Sequence, residues 1–494
     1  MGIQSVDLWV MAPTIVLALG ALLALIVDLF VPERGKASRS ASGVAAVVAV
    51  VAATAFLPQS ADSATLCAGQ NCAYAVGALT LAIQLVVLVG TATVLLMSLV
   101  SVSDNRTPSG EYYFLLLCSA AGAMLVPAAT DLVTLLVAIE VVSLPTFALI
   151  AMNRGNRRSG EGALKAFLYS VASVAVSFYG VALVYGSLGT VSFVPLSLVA
   201  SNTDPTPIAT AGLVLILAVV AFKAAAVPFH AWAPDAYESA PVPIAAYLSV
   251  VSKAVGFAAL IQIVATFANW EQIWAPVVAA MAILTMVFAN VIALRQRGVV
   301  RLLAWSSVAQ AGYILVPFAA IVGGHAGADA ALPAVIGYLV GYAALNLGAF
   351  AVVTIASRGT GGTEGRTSLR IDDLKGLAWQ SPWLGLTLAF FLAGLAGLPP
   401  ALIGLFIKVQ VIAVPISTGA WIVVAVMVLA TVTGLAYYLR FAAALFARPA
   451  EAAFDRAHFG MSAGPAHVAL GAMLALTIVL SVAPSLALGL LDRL

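Results

Sequence analysis

Charge is what this chain has least of. Of 494 residues only 9% are Asp, Glu, Lys or Arg, against 63% hydrophobic, and the mean hydropathy is +1.09. Soluble domains carry about 25% charged residues, which excludes a soluble architecture. No basic run has the length or aromatic interleaving of a nucleic-acid surface, so nucleic acid is not expected as a partner. Cysteine is also scarce, three in all, too few for a disulfide framework or a cluster, and Cys118 reads as a small core residue. The four histidines, His230, His325, His458 and His467, are scattered without metal-ligand spacing. A Walker loop, a Rossmann glycine pattern between strand and helix, a CxxC pair and a haem-type histidine pair are all missing. No means of handling electrons or hydrolysing nucleotide is visible, and neither cofactor nor metal is expected in this chain.

Apolar runs fill the sequence instead. Runs of roughly 18 or more such residues, enough to cross the bilayer core as a helix, recur from end to end. Fourteen spans are expected, near 8–30, 41–58, 76–101, 111–128, 131–152, 163–186, 207–226, 244–268, 274–294, 299–323, 331–357, 382–413, 417–445 and 465–490. The first follows Asp7 rather than a basic residue and is longer than a signal-peptide core, so it reads as a retained helix. Loop charge tests the count. Every Lys and Arg except Lys223, Lys253, Lys408 and Arg493 falls in or beside an odd-numbered loop. By the positive-inside rule those loops are cytoplasmic and both termini lie outside. Cys67 and Cys72 then share an outer loop where a disulfide can persist, either bridged or as two free thiols.

Two spans are interrupted. Span 7 carries Lys223 and meets Pro228; span 12 runs through Gly394-Leu-Ala-Gly397-Leu-Pro399-Pro400 and resumes toward Lys408. Proline removes a backbone donor and clashes with the preceding turn. In a bilayer the freed carbonyls need protein or water, so a broken helix lines a cavity or packs against neighbours. Interruptions five spans apart suggest two five-helix units, spans 4–8 and 9–13, inverted relative to each other because five is odd. A local likeness between Gly162–Ser170 and Gly298–Ser306 lies outside that pairing. The expected fold is an all-α polytopic membrane protein with discontinuous helices 7 and 12. Its segments are 1–110 for the first three helices, 111–270 and 271–450 for the two units, and 451–494 for the last helix.

Four charges sit within these spans: Glu140, Lys223, Lys253 and Lys408. Each ionised side chain near the bilayer centre costs roughly 2.5–3.5 kcal/mol on insertion scales, which makes a functional role the default reading. A structural salt bridge accounts for Glu140 and one lysine and leaves two. Those must be neutral, hydrated or exchanging protons, and a lysine that gains and loses a proton at modest cost suits a relay. His230, at the first break, either relays protons or caps exposed backbone. Asp235 and Glu238 beyond it anchor the turn or form a cation funnel.

Phe222-Lys223, then Val227-Pro228-Phe229-His230-Ala-Trp232-Ala-Pro234-Asp235-Ala-Tyr237-Glu238-Ser-Ala-Pro241, resembles the signature of the antiporter-like membrane subunits of respiratory complex I, the NADH–quinone oxidoreductase. Tyr237, Lys408 and Ser249-Val-Val-Ser-Lys253 are similar to the N-type branch of that family. The resemblance implies a bacterial inner-membrane subunit that translocates protons while partner subunits pass electrons from NADH to quinone. It implies that Glu140 modulates Lys223, that Lys253 is the central relay and that Lys408 is the outer-side relay. FMN, iron–sulfur clusters and quinone are then expected in partner subunits. Its neighbours would be the M-type subunit and the small membrane subunits. Alternatives from the residues are a subunit of an Mrp-type cation/proton antiporter or membrane-bound hydrogenase, and a scaffold with inert lysines.

Overall fold

The computed structural model describes residues 6–30, 36–68, 71–102, 107–152, 157–319, 325–359, 369–448 and 464–488. Arg34, Arg106, Arg154, Arg366, Arg456, His458 and Arg493, used above, lie outside the described residues, as do the side chains of Lys36, Arg39, His325 and Arg358. Apolar residues leave the backbone nothing but itself to bond to in lipid, and the helix satisfies it within one segment. The chain accordingly folds as α1 (Ala12–Phe30), α2 (Lys36–Phe56), α3 (Ala78–Ser101), α4 (Ser109–Leu125), α5 (Leu132–Ala151), α6 (Arg157–Leu188), α7 (Phe193–Asn202), α8 (Pro207–Ala224), α9 (Trp232–Ser239) and α10 (Val242–Thr266). It continues as α11 (Glu271–Ala293), α12 (Val299–Ala319), α13 (His325–Gly359), α14 (Leu377–Gln380), α15 (Pro382–Ala396), α16 (Ile403–Ser417), α17 (Trp421–Phe446), α18 (Gly464–Val482) and α19 (Ser485–Leu488).

Among the described residues, 13 helical stretches are long and apolar enough to cross a membrane. The remaining expected span is divided between α15 and α16, of 15 residues each. Two features depart from the sequence reading. The short helix α7 between spans 6 and 7 was not expected. The loop between α2 and α3 also folds as an antiparallel hairpin, β1 (Ser63–Ala68) and β2 (Asn71–Val76), with Cys67 opposite Cys72 and their sulfurs bonded.

Burial sorts the helices. The apolar windows of α12 and α13 are 94% buried, whereas those of α1, α17 and α18 are 33% buried, so α12 and α13 form the middle of the bundle with α10 beside them. At one end, Arg440 Nη2 donates to the Gln296 carbonyl at 2.7 Å, Ile371 N to Arg297 O at 2.9 Å, and Trp379 Nε1 to Phe446 O at 2.9 Å. These bonds tie the α11–α12 turn, the segment before α14 and the foot of α17 together. At the other end the hairpin is held by Asp7 N on Thr65 Oγ1 at 2.7 Å and by Thr130 on the Cys72 carbonyl.

Candidate functional site

Both helix breaks begin upstream of their prolines, which corrects the sequence reading. α8 stops at Ala224 because Ala225 turns into the left-handed region at φ +56°; Pro228 follows three residues later. Ala225 N bonds Phe222 O at 3.0 Å and Ala226 N bonds Ala221 O at 2.7 Å. α15 stops at Ala396 with Gly397 at φ +85°, where Gly397 N bonds Gly394 O at 2.9 Å and Leu398 N bonds Ala393 O at 2.8 Å. This is one C-capping motif used twice, with a left-handed residue folding two amides back onto the last turn. Pro228 and Pro400 each follow a cis bond just beyond.

The motif leaves the final carbonyls of each half-helix in need of donors. The lysines supply them. Lys253 Nζ, from α10, donates to Ala224 O at 2.9 Å. Lys408 Nζ, from α16, donates to Leu395 O at 3.0 Å and Ala396 O at 2.8 Å. Ala224 and Ala396 occupy the same position in the two caps. Each amine therefore meets the negative end of a half-helix, the terminus at which cations are stabilised. The lysines are 1% and 8% exposed. A neutral donor completes each break: Trp232 Nε1 reaches Phe222 O at 3.2 Å, and Gln310 Nε2 reaches Leu395 O at 3.3 Å. Close approach at the first break depends on Gly256, since a Cβ there would lie 2.9 Å from Ala224 N and Lys223 Cβ.

Lys223 occupies the last turn of α8, buried at 4% exposure. Glu140 lies mid-way along α5 and accepts from Ser170 Oγ of α6 at 3.1 Å. No ion pair within 4.0 Å joins the two among the described residues, although the carboxylate is within Coulombic reach of the amine. The tight Glu140–lysine salt bridge considered from sequence is thus not formed in this conformation.

Asp235 and Glu238, on α9, sit in ion pairs at the basic end of the bundle. Lys165 Nζ of α6 lies 2.7 Å from Asp235 Oδ2, Arg301 of α12 lies 3.2 Å from Asp235 Oδ1 and 2.7 Å from Glu238 Oε2, and Glu161 joins Lys165 at 2.9 Å. They line an open cavity of about 380 Å³ together with Arg158 and Ser239. The likeness of Gly162–Ser170 to Gly298–Ser306 gains a structural meaning here: its two basic residues, Lys165 and Arg301, meet on the same aspartate. His230 lies apart from the three lysines' hydrogen bonds, its ring 5.8 Å from that of Trp305 and 6.4 Å from that of Phe288.

The sequence reading missed the uncharged polar groups of the core. Beside Lys253, Asn346 Nδ2 donates to Ser249 Oγ at 2.6 Å, and Tyr342 OH lies 3.2 Å from Ser249 O and 2.8 Å from Ser307 Oγ. The neighbouring Ser306 meets the Tyr438 hydroxyl, which accepts from Gln310 Nε2 at 3.2 Å. Gln310 then reaches the carbonyl that Lys408 holds. Polar groups on α12, α13 and α17 thus occupy the interval between the two breaks. Their trace in the sequence is slight: the adjacent Ser306 and Ser307 with Gln310 about one turn on, and single residues such as Asn346, in apolar runs.

Fold and site together define a class, the polytopic membrane proteins that hold titratable amines on discontinuous helices. The family described as NADH:quinone oxidoreductase/Mrp antiporter, transmembrane, matches residues 129–434, which contain both breaks. The chain is 46% identical over 464 residues to NADH-quinone oxidoreductase subunit N 2 of Streptomyces griseus, covering 90% of this chain and 84% of that one. A chain of respiratory complex I from Thermus thermophilus superimposes with a TM-score of 0.76 at 29% identity, over 96% of this chain and 98% of that one. A chain of the Mrp complex from Dietzia shares the fold alone, with a TM-score of 0.80 at 22% identity over 98% and 96% of the two chains. The protein belongs to the NADH:quinone oxidoreductase/Mrp antiporter membrane-subunit family.

Proposed function

We propose that this chain is a proton-translocating, N-type membrane subunit of NADH–quinone oxidoreductase. The observation that carries the reading is the placing of two buried amines, Lys253 and Lys408, on equivalent carbonyls where half-helices end inside the membrane-spanning bundle. A lysine in that position has fixed acceptors when protonated. The half-helix ends also retain a neutral donor from Trp232 or Gln310 when the amine moves.

Protons enter from the cytoplasmic, basic end, where the cavity at Asp235 adjoins α9. Lys223 and Lys253 receive them at the first break, and Lys408 releases them toward the outer face. Glu140 acts on Lys223 through its charge, and a small approach or withdrawal changes how firmly that amine holds its proton. His230 is an accessory relay beside the break. Both termini lie outside a bacterial inner membrane. The two breaks with their shared cap belong to inverted five-helix units, residues 111–270 and 271–450, although the two amines reach them from non-equivalent helices. Electron transfer through FMN, iron–sulfur clusters and quinone belongs to partner subunits, and the M-type and small membrane subunits are the neighbours.

The test combines isolation with pumping. In mild detergent the chain should co-purify with NADH-oxidising, quinone-reducing partners. Glu140→Gln in the assembled complex should lower NADH-driven proton pumping, with Glu140→Asp intermediate. Co-purification with a cation/proton antiporter assembly lacking NADH oxidation would overturn the proposal in favour of an Mrp-type subunit.

A further inference from the structure

Lys408 does not hold its carbonyls alone. Gln310 Nε2 donates to the same Leu395 oxygen, and the amide is fixed at further points: Nε2 also meets Tyr438 OH at 3.2 Å, while Tyr338 OH donates to Oε1. Gln310 is 2% exposed and lies on α12, whereas Lys408, Leu395, Tyr338 and Tyr438 lie on α16, α15, α13 and α17. One neutral amide on α12 therefore bonds α13, α15 and α17, and shares its Leu395 acceptor with Lys408 of α16.

A peptide carbonyl has two lone pairs, so Leu395 can accept from both donors at once. The cap at Gly397 returns its amides to the Gly394 and Ala393 carbonyls, so Leu395 O takes its donors from side chains instead. Gln310 is the neutral one of the two, and it holds that end of α15 against α12.

We propose that Gln310 is the positioning residue for Lys408, pinning the Leu395 carbonyl so that the amine meets an oriented acceptor when it is protonated. This rests on the relay reading given above. An amide with no titrating proton is suited to the task, since its grip is unchanged as Lys408 gains and loses charge. Among the described side chains of the helices packed against α16, the titratable groups are mostly phenols: Tyr313 of α12, whose ring centroid is 5.4 Å from Nζ, Tyr338 and Tyr342 of α13, and Tyr437 and Tyr438 of α17. Arg301 and Arg440 lie toward the basic ends of α12 and α17, α15 carries no titratable side chain, and His467 of α18 sits in its first turn. Phenols with an ordinary pKa near 10 stay uncharged through the working range, so a change in the neutral range reports on the amine.

The experiment measures proton pumping by the assembled oxidoreductase in inverted membrane vesicles from pH 6 to pH 9, for the parent chain, Gln310→Met, Tyr338→Phe and Lys408→Met. With its acceptor no longer oriented, the protonated amine is held less well. The alkaline limb of the Gln310→Met profile should move to lower pH by about one unit, the size expected for one hydrogen bond to a charged group. Tyr338→Phe, which frees the amide while keeping its volume, should move it the same way by less. It also serves as the deciding variant should Gln310→Met fail to assemble. Profiles that superimpose on the parent, alongside loss of pumping in Lys408→Met, would overturn the role of Gln310 and leave the relay standing. Undiminished pumping by assembled Lys408→Met would instead sink the relay reading itself.

Discussion

The side-chain nitrogen of Lys253 lies 2.9 Å from the carbonyl oxygen of Ala224, the last residue of α8. That contact gives an amine inside a membrane bundle a fixed acceptor at the point where the helix stops. The break exposes a carbonyl, the amine satisfies it, and the half-helix dipole is turned toward the cation. Lys408 repeats the arrangement at Ala396.

The contact depends on Gly256, one turn beyond Lys253 on α10. A valine there would push against Lys223 Cβ and the Ala224 amide, with a cost of about 1–3 kcal/mol for overpacking. Gly256→Val should reduce pumping strongly and lower the thermal midpoint of the complex, with Gly256→Ala milder. Gly471→Ala, where an added Cβ meets nothing within 4 Å, should be silent in both measurements.

The ion pairs around Asp235 are partly exposed, with Lys165 and Arg301 side chains 42% and 37% accessible. Pairs of that kind contribute about 0.2–1 kcal/mol each. Lys165→Met should therefore change thermal stability only slightly. Asp235→Asn should cost more, because it removes the carboxylate shared by two cations and leaves them only Glu161 and Glu238. Unfolding midpoints measured at low and high salt check both, and the differences should shrink as salt rises.

The lysines, the glutamate and the two interrupted spans were legible in the sequence because charge and Pro-Gly clusters stand out against apolar runs. The manner of interruption was not. Ala225 adopts a left-handed conformation that its residue type gives no reason to expect, so the sequence points to a proline where the helix has already stopped. The polar groups between the breaks were overlooked for a related cause. Serine, tyrosine and glutamine are ordinary in a membrane helix, and only tertiary packing brings Ser307 to Tyr342 and Gln310 to Leu395. The meeting of Lys165 and Arg301 on one aspartate likewise arises from a sequence likeness whose meaning depends on three helices converging.

The Cys67–Cys72 bond closes a short hairpin loop with a sequence separation of 5, for which chain entropy assigns roughly 2 kcal/mol of stabilisation. Cys67→Ser with Cys72→Ser should assemble and pump as the parent does. A membrane-impermeant maleimide should label the parent at these positions only after reduction, and only from the outer face. Labelling from the cytoplasmic face would reverse the proposed orientation, as would labelling from outside of a cysteine placed at Lys36.

Lys253→Met keeps a side chain of similar length and removes the titratable amine from the Ala224 carbonyl, so it isolates the amine's role at the first break. NADH-driven acidification of inverted vesicles should be read beside the amount of assembled complex. We expect normal assembly and a loss of pumping through this subunit on the order of the hundredfold associated with removing a positioned acid–base group. Full acidification by correctly assembled Lys253→Met complex would contradict the relay at the broken helices.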